Sequence, residues 1–250
     1  MYEMSVNIQL WKNYQDQMDI FLENPSGRRI GPIQQIAGAQ RYRLDETDLL
    51  IYYGEPSPYS TEQEIYIDFL PINKYIDSGI WKVILKGNRI LEGNYDLWLP
   101  GGNVLGENTK FYQPTPERTL TIPSTALQVI SVGAYNAQLQ SYADFSGRGY
   151  TRTIQQIKPD LAAPGVNIIS TKSGGGYAQV TGTSFATPFV SGSAALLMEW
   201  GLIKGNDMYL YGEKIKSYLI KGARQLPGEI QWPNPRLGWG VLCLRNSLPE

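Results

Sequence analysis

Gly182-Thr183-Ser184-Phe185-Ala186-Thr187-Pro188 opens a run of small and apolar residues that continues to Trp200. The stretch from Ser184 to Trp200 predicts a helix closed near Gly201, and its shortage of charge predicts that the helix is buried. A serine at the entrance of such a helix meets unpaired backbone N–H groups and the positive end of the helix dipole. Both favour an oxyanion forming beside it. Gly182 permits close approach of a substrate backbone, Ala186 leaves room, and Pro188 is expected in the first turn, where its missing N–H costs little. The same residues also read as an ordinary serine N-cap, and local chemistry alone favours that plainer reading.

The sequence around this segment has an α/β texture. Leu127 to Ala134, LQVISVGA, is a continuous apolar stretch of the kind buried on both faces of a parallel sheet, and Val166 to Ser170 is a second candidate. Tyr211, Ile215, Tyr218 and Leu219 recur at helical spacing, with Gly222 near the end of that helix. Strands alternating with helices predict α/β architecture for residues 114–250.

Residues 1–113 read differently. Val6, Ile8 and Leu10 alternate with polar residues, and Met18, Ile20 and Leu22 do the same before a turn at Asn24-Pro25-Ser26-Gly27. Further strand candidates lie at Leu49 to Tyr53, Ile65 to Phe69, Trp81 to Leu85 and Tyr95 to Leu99, separated by proline- and glycine-rich turns. Short strands without a helical period predict an all-β, jelly-roll type sandwich.

Composition narrows the function classes. Twenty-two basic and 23 acidic residues in 250 give a net charge of -1, which provides no electrostatic footprint for nucleic acid or an anionic membrane. Cys243 is the only cysteine and there is no histidine, so neither a disulfide framework nor a thiolate–imidazole zinc site is available. No metal and no cofactor is expected. Cys243 reads as a small buried apolar residue. No basic segment followed by a long apolar run opens the sequence, which points to a cytoplasmic chain as given.

Longer strings carry a family resemblance. Gly182 to Gly192, GTSFATPFVSG, closely resembles the nucleophile motif of the subtilisin family, GTS-x-A-x-P-H-V-x-G, with Ser184 on the catalytic serine. Lys158 to Gly165, KPDLAAPG, resembles that family's KPD-x-x-APG segment, and Pro123 to Ala134 resembles its strand ending in VGA. Ala143 to Gly149, ADFSGRG, is similar to its FSSRG turn. Phe189 stands where the family usually has a histidine outside the triad, so packing rather than chemistry should differ there. The triad aspartate and histidine of subtilisins, and the oxyanion-hole asparagine, belong to segments upstream of these motifs that have no counterpart in this sequence. Asn103, in Pro100-Gly101-Gly102-Asn103, reads as part of a turn rather than as that asparagine.

A narrower resemblance covers nearly the whole length. Leu10-Trp11 with Asp16, the Asn24-Pro25-Ser26-Gly27 turn, Tyr209 to Gly212, Lys216 to Ala223, and Pro233-Asn234 with Gly238-Trp239-Gly240 are similar to clostridial spore-germination (Csp-type) subtilases with an inserted jelly roll. That resemblance implies a serine endopeptidase acting on a protein or peptide substrate, spore-associated, with Ser184 as nucleophile and Gly182 and Thr183 in the substrate and oxyanion region. It also implies a partner, either the remaining protease half or a second copy of the chain. A non-catalytic pseudoprotease or regulatory module is the alternative. Carbohydrate binding through Trp11, Trp81 and Trp98 ranks last, because core packing is the commoner fate of strand tryptophans. A Ser–Lys dyad is not expected, since no lysine lies in the nucleophile motif or in the strands predicted to line it.

Overall fold

The computed structural model describes residues 2–101, 104–152 and 156–248, so Asn103 lies outside the described residues. The chain divides into two compact units, Met1–Pro114 and Thr115–Glu250.

Unit 1 is two antiparallel sheets sharing one core. Its strands are β1 (Val6–Asn13), β2 (Gln17–Glu23), β3 (Arg29–Ile30), β4 (Ala39–Leu44), β5 (Thr47–Tyr53), β6 (Glu62–Pro71), β7 (Lys82–Arg89) and β8 (Tyr95–Trp98). One sheet runs β4-β5-β6-β1-β8 and the other β3-β2-β7. Alternation becomes register: Leu49, Phe69 and Val6 align across β5, β6 and β1, as do Ile51, Ile67 and Ile8, and then Tyr53, Ile65 and Leu10. These buried rows face Ile20 and Leu22 of β2 in a single cluster. Each such aliphatic side chain removed from water contributes about 1.5–3 kcal/mol.

Polar residues fix the corners of unit 1. Asp16 accepts from the backbone N–H groups of Leu91 (2.6 Å), Glu92 (3.0 Å) and Gly93 (2.9 Å), which orders the turn leading into β8. The buried ammonium of Lys12 donates to the carbonyls of Asp16 and Asn13 and to Gln63 Oε1 at 2.8 Å. The Asn24 side chain accepts from Arg28 N at 2.8 Å and from Ser26 Oγ at 2.9 Å, closing the turn read in the sequence. Strands β3 and β4 escape the pattern search because β3 has two residues and β4 carries Arg41 and Arg43 on its exposed face.

Unit 2 is built on β9 (Val132–Asn136), β10 (Ser141–Tyr142) and β11 (Leu161–Pro164), in the order β10-β9-β11 with β11 parallel to β9. A hairpin, β12 (Ile168–Thr171) and β13 (Tyr177–Val180), precedes helix α1 (Thr183–Met198), then α2 (Gly212–Lys221) and the short α3 (Leu244–Ser247). Ala134, Leu161 and Ala163 pack with Ala186, Val190 and Leu197 of α1, whereas Tyr135 and Ala162 face Leu226, Leu237 and Val241. The small central strands are thus buried on both faces.

Several expectations are corrected here. The strand expected over Leu127 to Ala134 begins only at Val132, and Leu127 is 69% exposed, because the carbonyls of Leu127 and Val129 accept from lysines instead of a neighbouring strand. The parallel partner of β9 is Leu161–Pro164, not Val166 to Ser170. The latter stretch turns away after Gly165 into the β12–β13 hairpin, which leaves Ile169 exposed. Helix α1 is buried along one face only. Gly201 does not cap it: α1 passes into a wider π turn over Glu199–Ile203, where a Cβ on Gly201 would stand 2.7 Å from Leu210 Cδ2. Cys243 is only partly buried, at the start of α3.

Candidate functional site

The site is assembled around the start of α1. Gly165 lies beneath it: its N–H donates to Tyr135 O (3.1 Å), its carbonyl accepts from Gly182 N (2.8 Å), and a Cβ there would meet Ala134 Cβ at 2.7 Å. Glycine at 165 therefore brings the end of β11 close enough to fix Gly182, which is the N-cap. Gly182 has φ 156° and ψ 159°, a conformation open essentially to glycine alone.

Ser184 is thus the second helical residue, and the plain N-cap reading fails: no side chain caps α1, and among the described residues the Ser184 hydroxyl has no hydrogen-bond partner. It is exposed to solvent. Pro188 lies in the second turn rather than the first, so it brings no N–H to the Ser184 carbonyl four residues back. Thr183 uses its own carbonyl to accept from Thr187 Oγ1 at 3.1 Å.

Thr183, Ser184 and Thr187 form one side of an open depression of about 240 Å³. Pro123, Ser124, Val129, Ile130 and Val132 form the other. Four of its eight lining residues, Ser124, Thr183, Ser184 and Thr187, carry hydroxyls, and its exposed surface is more polar than apolar. A depression of this size has room for one side chain rather than for a larger ligand.

The far wall is held from behind by charges that the sequence reading did not connect to the site. Lys158 is fully buried, and its ammonium donates to Val129 O (2.6 Å) and pairs with Asp160 Oδ2 at 2.8 Å. Lys216, on α2, pairs with Asp160 Oδ1 at 2.7 Å and donates to the carbonyls of Leu127 (3.2 Å) and Val129 (3.3 Å). Asp160 Oδ2 also accepts from Ser131 N at 2.7 Å, and Ser131 Oγ donates to Ser124 O. Burial pulls the Lys158 ammonium below the ordinary lysine range, against the opposing pull of Asp160. The available signal was the placement of Lys158 and Asp160 directly before the apolar strand LAAP. Lys158 braces Val129 from behind and is not itself among the residues that line the depression. Its hydrogen bonds go to Val129 and Asp160, not to Ser184.

Other motif residues are structural. Ser146, in the Phe-Ser-Gly-Arg-Gly turn, accepts from Ala134 N at 2.9 Å and so pins β9. Asn234 accepts from the N–H groups of Arg236 and Leu237, and Trp239 N donates to Asp160 O at 2.9 Å. Among the tryptophans, Trp81 is committed to packing: it meets Phe69 edge-on at 5.0 Å and its indole N–H donates to Asp77 O. Trp11 and Trp98 are half-buried. No group of three or more metal-ligating side chains is found among the described residues. No described helix is long and apolar enough to cross a membrane.

A parallel strand pair, β9 and β11, leading to a helix whose first turn presents a solvent-exposed serine over an open depression makes unit 2 an α/β unit. The chain belongs to the subtilase family, peptidase S8, whose model matches residues 68–240. The CspB protease of Clostridium perfringens is 40% identical and superimposes with a TM-score of 0.86 over 98% of this chain, which fits a Csp-type subtilase. The serine protease AprX of Bacillus subtilis is 31% identical over 153 residues, 53% of this chain and 32% of its own. Pyrolysin of Pyrococcus furiosus is 33% identical over 198 residues, 70% of this chain and 13% of its own. The chain spans 51% of the CspB protease and smaller shares of these curated relatives.

Proposed function

We propose that Ser184 is the nucleophile of a subtilisin-like endopeptidase site that this chain completes only with an imidazole from outside its 250 residues. The observation that carries the reading is the exposed Ser184 hydroxyl in the first turn of α1, at the depression and without a hydrogen-bond partner among the described residues. Ser184 Oγ attacks the scissile carbonyl, and the N–H groups of the first turn, with Gly182 and Thr183, receive the oxyanion and the substrate backbone. The proton must go to a base, and the sequence has no histidine. General-base assistance is worth roughly a hundred- to ten-thousand-fold, so the chain by itself is inactive. Its partner is a polypeptide that carries the aspartate and histidine of a subtilase, or a second copy.

Unit 1 is the jelly-roll insertion in this reading, a scaffold rather than a carbohydrate platform. The likeness to the CspB protease of a clostridium supports a spore-associated setting and, for a form without the base, a regulatory pseudoprotease in germination. Treating the purified chain and Ser184→Ala with a fluorophosphonate probe and a broad peptide library tests the proposal. Neither protein should label or cleave, and adding a polypeptide that carries the missing triad residues should restore Ser184-dependent labelling. Stoichiometric labelling of the wild-type chain alone would overturn it. Failure of restoration with every such partner would favour the pseudoprotease.

A further inference from the structure

The buried Lys158–Asp160–Lys216 cluster has no part in the proposed chemistry, yet it is costly to bury. Charges removed from water are tolerated only when paired and fully hydrogen-bonded, and an apolar trio of similar volume would hold the strands at least as well. What distinguishes this cluster is where its bonds go. Both lysines point at carbonyls of the Leu127–Val129 stretch, which among the described residues has no strand neighbour to take them. The carboxylate accepts from the Ser131 N–H, and the Ser131 hydroxyl in turn donates to the Ser124 carbonyl. Val129, Ile130 and Ser124 line the depression facing Ser184. The connection is therefore continuous from α2 through Lys216 and Asp160 to both ends of the far wall.

We infer that Asp160, Lys158 and Lys216 are positioning residues that set the far wall of the depression, and with it the size of peptide side chain the site accepts. The inference rests on the reading of that depression as a peptide-binding site. Ammonium groups do here what a strand neighbour does elsewhere, but they can be lost one at a time. Lys216 is the informative member because its side chain is 18% exposed, against 0% for Lys158 and 3% for Asp160, so its removal is the least disruptive. Lys216→Met keeps the aliphatic stem and deletes only the donor.

The experiment combines hydrogen exchange with peptide binding on the full chain, comparing wild type, Lys216→Met, Lys216→Arg and Ser184→Arg. In Lys216→Met the amides of Ala126 and Ser131 should exchange about ten- to a hundred-fold faster, the scale of a lost charged hydrogen bond. Those of β9, β11 and α2 should stay within about two-fold. Lys216→Arg, which can donate to the same carbonyls, should restore protection. Fluorescent peptides that differ only in one side chain, alanine, leucine or phenylalanine, should be discriminated by wild type and by Lys216→Arg. Lys216→Met should discriminate less, and Ser184→Arg, which fills the depression, should abolish binding. Unchanged exchange at Ala126 and Ser131, equal acceleration throughout unit 2, or failure of Lys216→Arg to restore protection would each overturn the positioning role. Local acceleration with no peptide bound by wild type would leave the positioning role standing as a device that shapes the wall, and would count against peptide recognition by this chain.

Discussion

The two units close their cores by different means. In unit 1 every inward row meets another: Ile8, Ile67 and Ile51 lie side by side across three strands and are covered by the second sheet. In unit 2 the strands are short and the core is made of alanines, loops and one side of α1. Helix α1 buries Ala186, Val190, Ser193 and Leu197 but shows Phe189, Leu196 and Met198 to solvent. A helix apolar on all sides is normally buried on all sides. The apolar residues of unit 1 match the surface that unit 1 itself covers, while those of α1 exceed what unit 2 covers. That excess supports the proposed partner.

The sharpest test of this contrast is Ile67→Ala. Ile67 is fully buried between Ile8 and Ile51, so the truncation should cost about 2–5 kcal/mol, read from urea unfolding followed by region-resolved hydrogen exchange. Protection should fall throughout β1, β5 and β6 and persist in β9, β11 and α1. An equal fall in both units would show one cooperative core instead of two. Gly165→Ala is the counterpart in unit 2 and should cost about 1–3 kcal/mol, because its methyl group must displace Ala134 or the Gly182 carbonyl. Its loss of protection should centre on the first turn of α1, and a neutral outcome would mean that Gly165 does not fix Gly182.

Acid should bear more heavily on unit 1, where four carboxylates are held below their ordinary range, than on unit 2, where among the described residues Asp207 alone is. Burial pushes the Asp16 carboxyl upward, but the N–H groups of Glu92, Leu91 and Gly93 and the charge of Lys12 outweigh it, and its folded pKa lies below the ordinary value of 3.8. A depressed folded pKa contributes stability that is present in full above the unfolded pKa and is lost as pH falls through the folded one. Glu23, Asp45 and Asp48, each depressed by its hydrogen-bonded partners, slope the same way. Unit 1 should therefore weaken below about pH 4. Asp16→Asn should flatten part of that slope, and urea midpoints for the two proteins that fall in parallel on acidification would contradict the assignment.

How far sequence reading reached follows the same division. In unit 1, alternating residues paired across neighbouring strands, so β1, β2, β5 and β6 could be read directly, and only β3 and the arginine-bearing β4 were missed. In unit 2 the GTSFATP motif placed Ser184 on the first turn of a helix, but the apolar content of Leu127 to Ala134 started the first strand too early, and that of Val166 to Ser170 marked a strand but not its partner. Apolarity says that a residue is suited to burial, not which neighbour will satisfy its backbone. At Leu127 and Val129 that neighbour is a pair of lysines distant in sequence, and at Ile169 it is a hairpin partner. The wall of the candidate site was illegible for that reason: it depends on Lys216, 87 residues from Val129.

The mildest substitution addresses the contrast most directly. Leu196 is 51% exposed on α1 and Met198 is 45% exposed, and neither belongs to the buried set that holds the helix to β9 and β11. Leu196→Glu should then change the stability of the chain by no more than about 0.5 kcal/mol, as surface substitutions do. Its effect should appear in association instead. Exposed apolar surface drives self-association, so light scattering of the wild-type chain should show dimers or larger species that grow with concentration, and Leu196→Glu should shift them toward monomer. The same substitution should weaken capture of a polypeptide that carries the missing triad residues, because a carboxylate would be buried without a partner at that face. If Leu196→Glu instead unfolded the chain, Leu196 would belong to the core and the excess would vanish. If wild type were monomeric throughout and Leu196→Glu left partner binding intact, the exposed face of α1 would have no bearing on assembly, and the two units would differ in composition but not in completeness.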